Sequence, residues 1–406
     1  MTRPILTAPR ADGELLTADQ AAARLGVRKA TLYAYVSRGL LTKIADPLRP
    51  RCSRYAGVEL DRLRAGHHPA QRAAPAEEAT LYDGLPLVPT ALSGLVDGVL
   101  VVRGRPLETL ARQASLEEMA AWLWDTEVGA AFDAPAPTLP ALWHDTARAL
   151  RQADPAARAL TLWSLAMPQL QGGIDLQGRG LAVALGQHLR VAVACWLGKA
   201  PTQAPLHLQV ARAWRLPASS HEPLRQALVL CADMVGNLMS LSTRMAASVQ
   251  GSLATCLLAG MGYGFVRLSG GEFEAVEALF DEVEATGSFS RVAASYRARG
   301  EALPGIHHHL FVRGDPRGAL MLQLATAMGS KAASGLASAQ DDTPLLPALD
   351  FGLVALRRVI GAPRHAGLAL THMARQCGLL AQALEQRQQP RRMWVQSRYV
   401  GPATAA

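Results

Sequence analysis

Apolar and polar positions recur with a helical period along most of this chain. Thr17-Ala-Asp-Gln20 has the form of a capping box, in which the Thr17 hydroxyl satisfies a free first-turn amide and Gln20 reaches back. It predicts a helix from Ala18 to Leu25, closed by Gly26, and a second from Lys29 to Arg38, closed by Gly39. Ala22, Leu25, Val27, Leu32 and Val36 fit the inner side of that pair. Arg28, Lys29, Thr31, Tyr33, Tyr35, Ser37 and Arg38 fall on the outer side. From Leu40 to Tyr55 apolar residues are few, and a short hairpin or wing is expected to carry Lys43, Arg49, Arg51 and Arg54. Val58 to Arg64 reads as a third helix. Residues 66–80 lack apolar periodicity and read as a flexible linker, so residues 1–65 form a first domain.

Beyond the linker, residues 81–406 are mostly amphipathic helix. Ser115-Leu-Glu-Glu118 is a second capping box and opens a helix through Trp124. Further helices are expected over Pro155–Met167, Asp175–Leu197, Pro223–Gly236, Leu238–Ala259, Glu274–Glu284, Gly318–Met328, Pro344–Ile360 and Ala366–Glu385. Ala91 to Gly104 reads as a small hairpin. No internal repeat is visible. The expected fold class is all-α, with a minor β element, preceded by a small winged helix-turn-helix domain.

Composition narrows the class. Of 406 residues half are apolar and 18% charged, which fits a globular chain with a substantial core. The formal charge of +8 suits anionic partners, nucleic acid or phosphorylated ligands, without choosing between them. Five scattered cysteines with no Cys-x-x-Cys pair argue against a zinc site or a disulfide framework, and fit a reducing cytoplasm. No metal is expected. Met1 to Leu6 lack the apolar core of a signal peptide, and no charge-free apolar stretch of about 20 residues predicts a membrane span.

Helix, tight glycine turn and a basic polar helix make the helix-turn-helix layout, whose second helix enters the major groove. Leu16-Thr-Ala-Asp-Gln-Ala-Ala-Ala-Arg-Leu-Gly-Val27 and Ala30-Thr-Leu-Tyr-Ala-Tyr-Val36 resemble the N-terminal module of MerR-type regulators and excisionases. That resemblance implies double-stranded DNA as a partner, met by Arg28, Lys29, Thr31, Tyr33, Tyr35, Arg38, Lys43, Arg51 and Arg54. Phosphate contacts would supply most of the affinity and none of the sequence choice. A small helical cap packed on the body is the other reading of these residues.

The body resembles citrate synthases over nearly all its length. Thr90-Ala-Leu-Ser93, Val101-Val-Arg-Gly104 and Leu116-Glu-Glu-Met-Ala-Ala-Trp-Leu-Trp124 follow that family's N-terminal hairpin and first long helix. Ala227-Leu-Val-Leu-Cys-Ala-Asp233 precedes Gly236-Asn237, and Pro304-Gly-Ile-His-His-His309 precedes Gly314-Asp-Pro-Arg317. Asp350-Phe-Gly and Pro390-Arg-Arg-Met-Trp-Val395 complete the series. The resemblance implies the citrate synthase fold, a homodimer whose large domain and small domain (roughly residues 225–330) close over the substrates. Those substrates are acetyl-CoA or another acyl-CoA and oxaloacetate or a related 2-oxo acid, with no permanently bound cofactor.

It also implies roles. Asp350 stands where the general base removes a proton from the thioester's α-carbon; an N-capping or ion-paired aspartate is its other reading. His308 stands where a histidine polarises the ketone, the run His307-His308-His309 leaving the register open by one; a surface histidine cluster is the alternative. Arg317 and Arg375 match carboxylate-binding arginines, and helix salt bridges are their plain alternative. Arg313 lies near the expected coenzyme position, beside Val312. The departures are Ser269, in Leu268-Ser269-Gly270-Gly271, for the enol-stabilising histidine; Met234 for a histidine; Gln389 for an arginine; and His309 for another arginine. Losing an enol donor costs on the order of a hundredfold in rate. Three readings stay open: a condensing enzyme with an altered site, a DNA-binding regulator that senses a CoA thioester or carboxylate, and a partner subunit in a mixed dimer with an intact synthase.

Overall fold

The computed structural model describes residues 15–37, 41, 43–46, 49–57, 60, 88–170, 172–234, 236–263, 267–306, 311, 314–330, 335–336, 346–389 and 392–393. The chain divides into two units, residues 1–87 and 88–406, each with its own apolar core.

In the first unit the expected box forms. Thr17 Oγ1 accepts from the Gln20 amide at 3.3 Å, and Gln20 Oε1 accepts from the Thr17 amide at 2.9 Å. They open α1 (Ala18–Leu25), which ends at Gly26 in the left-handed region that glycine tolerates. Next comes α2 (Lys29–Ser37). Strands β1 (Leu15–Thr17), β2 (Ile44–Asp46) and β3 (Arg49–Ala56) make an antiparallel sheet with β3 central; β1 was not expected. Leu16, Ala21, Ala22, Leu32, Leu41, Tyr55 and Leu60 form the core. Leu25 and Val36 are only half-buried, while Tyr35, expected to face outward, packs against this core. Its ring is too large and apolar to leave bare beside so few buried side chains. Of the expected third helix only Leu60 is among the described residues, and Arg38 and the linker 66–80 lie outside them.

The second unit opens with the expected hairpin, β4 (Ser93–Val96) and β5 (Val99–Val102). Its turn, Asp97-Gly98, places both residues at positive φ, as a tight hairpin of this hand requires. A short β6 (Arg105–Pro106) pairs with β5. Helices follow: α3 (Leu107–Gln113), α4 (Leu116–Trp124), α5 (Val128–Phe132), α6 (Ala141–Ala149), α7 (Pro155–Ala166), α8 (Gly178–Leu197), α9 (Leu206–Trp214) and α10 (His221–Cys231). Then come α11 (Leu238–Ser248), α12 (Leu253–Tyr263), α13 (Arg267–Thr286), α14 (Phe289–Arg299), α15 (Pro316–Ala327), α16 (Leu349–Ile360) and α17 (Ala366–Arg387). Helix α17 is buried along most of its length and packs against α4, α8, α10, α11 and α12.

Several boundaries differ from expectation. The single helix expected over Leu238–Ala259 is two, because Gln250 takes φ +62° and Ser252 caps a fresh start, its hydroxyl accepting from the Thr255 amide at 3.1 Å. Helix α13 begins at Arg267, not Glu274, so Ser269 to Gly271 lie in its first turns. Helix α16 begins at Leu349, not Pro344. Helix α14, rich in arginine and serine and poor in apolar period, was not expected. Helix α8 reaches a mean hydropathy of 1.4 over 18 residues, but it is not charge-free, since it carries Arg179 and Arg190. It is a core helix: 72% of that window is buried, and its Arg190 donates to the carbonyl of Phe132 at 2.8 Å.

Buried ion pairs tie distant elements. Arg244 of α11 pairs with Glu385 of α17 and donates to Gln382 Oε1 at 2.5 Å. Glu385 also accepts from the Ala91 amide at 2.7 Å, which anchors the segment leading into the hairpin. Glu277 of α13, fully buried, is held by Arg357 and Arg358 of α16.

Candidate active site

Two helix starts meet at the centre of the site. Asp315 caps α15: its carboxylate accepts from the Arg317 amide at 3.0 Å and from Arg317 Nε and Nη2 at 3.0 and 2.8 Å. Asp-Pro at a helix start is a favourable local choice, acid at the cap and proline in the first turn. Asp315 Oδ2 also accepts from the Leu349 amide at 3.3 Å, so one carboxylate joins the starts of α15 and α16. Glycines allow the approach. A Cβ on Gly318 would lie 2.3 Å from the Pro347 carbonyl oxygen, and one on Gly352 would lie 2.4 Å from Met321 Cβ. Backbone contact between the two helices therefore fixes Arg317 relative to Asp350, in the first turn of α16.

Asp350 keeps part of its surface accessible, yet protein atoms crowd its carboxyl. Loss of water pushes its pKa up to about 7; the Arg317 charge opposes that rise, and Glu272 and Asp315 add to it. Arg317 is 1% exposed, its guanidinium 5.1 Å from the Phe311 ring centre. Burial alone would lower its pKa, but Asp315 more than offsets this and holds it raised. Among the described residues its Nη1 has no hydrogen-bond partner. Arg375, on α17, is 2% exposed, and among the described residues its Nε and Nη1 both lack partners. Burial, with repulsion from Arg317, brings its pKa down to about 10. Three guanidinium donors are thus buried and unmatched, an arrangement that favours an anion with several acceptors. Cys231, at the end of α10, lies near these arginines, but burial pushes its thiol up to about 11, so it stays protonated.

The structure brings Asp350, Arg317 and Arg375 together, as their mutual electrostatic influence records. Arg317 is in the ion pair that was its plain alternative, with one donor left over. His307, His308 and His309 lie outside the described residues, as do Val312 and Arg313. The chain enters the histidine run from Ile306, which bridges Pro347, close to Asp350 in sequence. Ser269 is described in its backbone only; three residues on, Glu272 Oε1 accepts from the Gly305 amide at 2.5 Å. Met234 packs half-buried against the core, and Gln389 is exposed. Sequence reasoning missed Asp315 as the partner of Arg317, which Asp-Pro should have suggested. It also gave no role to Asp233, the last residue of the Ala227–Asp233 motif. Among the described residues no cluster could hold a metal ion.

Of the residues expected to meet DNA, Arg28 and Lys29 are exposed at the start of α2, Tyr33 is 52% exposed, and Lys43 is exposed ahead of β2. Thr31 and Arg54 are half-buried. Lys29 is not wholly available: it pairs with Asp19 of α1 at 2.5 Å, and that hydrogen bond raises its pKa. Arg51 is described in its backbone only.

Residues 81–396 match the family "Citrate synthase, C-terminal domain". Proteins described as "Putative citrate synthase 2" from Mycobacterium bovis and Mycobacterium tuberculosis are 25% identical over 209 residues, 49% of this chain and 52% of theirs. The chain thus spans about half the length of the curated relatives it matches. Among solved structures, the citrate synthase of Thermotoga maritima is similar at TM-score 0.63 and 18% identity, covering 80% of this chain and 96% of that one. That of Thermoplasma acidophilum, solved with carboxymethyl coenzyme A and oxaloacetate, is similar at TM-score 0.67 and 18% identity, covering 81% and 97%. At such identities these likenesses establish the fold.

Proposed function

The chain belongs to the citrate synthase family, and we propose that its body binds a 2-oxo acid such as oxaloacetate together with an acyl-CoA, and condenses them slowly at a remodelled site. The carrying observation is the set of unmatched buried donors on Arg317 and Arg375 beside a carboxyl with a pKa near 7. A base poised near neutrality is ionised often enough to take a proton and basic enough to hold it. Asp350 would remove the α-proton of the thioester; the resulting enol carbon bonds to the ketone carbon, whose oxygen takes a proton with His308 as the polarising donor. Water then cleaves the thioester and releases the CoA thiol. Ser269 would offer a hydroxyl where the family resemblance implies an imidazole, a shorter reach to the enol oxygen. Arg313 would stand near the coenzyme. Gln389 in place of an arginine favours an acid with one carboxylate fewer than oxaloacetate.

Thiol release from acetyl-CoA or propionyl-CoA, followed with oxaloacetate, pyruvate and 2-oxoglutarate, tests the reading. We expect slow release, lost in Asp350→Asn and increased in Ser269→His. No release above background with any pair, and no binding of any of these acids, would sink it.

A second reading has its own support. The first unit pairs two helices across a glycine turn with a three-stranded sheet, and bears the exposed Arg28, Tyr33 and Lys43. We propose that it binds double-stranded DNA, and that the body, as a homodimer or a mixed dimer with an intact synthase, presents two such units to a palindromic site. Mobility shifts on the chain's own upstream DNA, with an unrelated duplex as control, decide it; equal retardation of both would end the claim of specific reading.

A further inference from the structure

Two buried groups beside the site have no part in the chemistry above. Asp233 follows α10, 4% exposed, and Ser93, at the start of β4, donates its hydroxyl proton to Asp233 Oδ2 at 2.6 Å. Among the described residues Asp233 Oδ1 makes no hydrogen bond of ordinary geometry, although Gln382 stands near. Gly378, on α17 three residues after Arg375, makes room for it: a Cβ there would lie 2.3 Å from that oxygen, and the Gly378 amide donates to the Ala232 carbonyl at 3.0 Å.

Arg375 has the complementary deficit, a buried guanidinium with Nε and Nη1 unmatched. Asp233 and Asp315 attract it through space, as does Asp350, whose pKa near 7 leaves it partly uncharged. Asp315 is already committed to Arg317 by two side-chain hydrogen bonds. Arg317, itself buried, repels Arg375. A second buried cation needs a counter-charge of its own, and Asp233 is the one at hand. We infer that Asp233 is a positioning residue for Arg375: Ser93 pins one carboxylate oxygen, and the other, packed at Gly378 one helical turn from Arg375, orients the guanidinium across the buried gap, without a direct bond, toward the carboxylate of a 2-oxo acid. The identity of the ligand rests on the proposed function; the placement of Arg375 does not.

Asp233→Asn keeps the shape and an oxygen for Ser93 but removes the charge, so the fold is expected to survive. Crystals of the native protein and of this variant, each without ligand, report where the guanidinium points; titration with oxaloacetate and, separately, with acetyl-CoA reports affinity. We expect the Arg375 guanidinium displaced in the variant and oxaloacetate bound about tenfold to a hundredfold more weakly, the loss of one charge-assisted contact. Acetyl-CoA affinity should stay within about twofold. Ser93→Ala should act in the same direction and add nothing to Asp233→Asn, because it works through that carboxylate. If the guanidinium keeps its place and oxaloacetate binds equally well, the inference is overturned. If the native protein ignores oxaloacetate while Arg375 still moves in the variant, the proposed function fails and the positioning role stands. Equal weakening of both ligands, with Arg375 in place, would mark Asp233 as merely structural and also overturn it.

Discussion

A carboxyl that ionises near pH 7 inside the fold, and near 3.8 in an ordinary setting, makes Asp350 a cost to stability. Well below pH 3.8 it is protonated folded or unfolded and contributes nothing. As pH rises the unfolded chain releases its proton first, so ionisation favours unfolding, and the cost is complete above pH 7. At about 1.4 kcal/mol per pKa unit it reaches on the order of 4 kcal/mol. Asp350→Asn is therefore expected to raise the Tm at pH 8, to raise it less at pH 5.5 and to change it least near pH 4, while abolishing thiol release. Calorimetry at the three values checks this; a variant less stable at pH 8 would contradict the raised pKa. Sequence alone supplied Asp350, Arg317 and Arg375 through their motifs. It did not show that Asp315 occupies most of Arg317, nor that Ser93 meets Asp233, since side-chain pairing is decided by rotamer and burial.

At the scale of elements, signals confined to one helical turn were legible. Thr17 with Gln20 and Ser115 with Glu118 are both closed boxes, and Gly26 ends α1 where expected. What failed was wherever packing overrode period: the break between α11 and α12, the early start of α13 and the polar α14. The tight crossing of α15 over α16 depends on Gly318, and Gly318→Ala would drive a methyl to 2.3 Å from the Pro347 carbonyl oxygen. Urea unfolding is expected to show a loss of about 1–3 kcal/mol. Because the same crossing sets Arg317 against Asp350, turnover should fall more than stability explains. Full turnover in a folded Gly318→Ala protein would show that the crossing does not set the site.

Taken whole, the chain is two units with separate cores, and residues 88–406 hold every described part of the candidate site. A protein lacking residues 1–87 is expected to fold, keep its Tm within a few degrees and bind oxaloacetate as the full chain does, yet lose DNA retardation. For the full chain, DNA affinity should fall steeply with salt, by roughly tenfold or more between 50 and 200 mM, if several phosphates are met. Retardation surviving the deletion would move the DNA site elsewhere.

Sequence by itself determined that this chain is helical, that a small basic unit precedes a large apolar one, and that its motifs run in citrate synthase order. Helix period, caps and glycine stops act over a few residues, so they survive in one dimension. Tertiary structure alone decided which buried polar groups meet: Ser93 and Asp233 are 140 residues apart, and Arg244 and Glu385 are 141. Nothing local encodes such pairs. They exist because burial raises the cost of an unmatched charge until distant segments supply its partner.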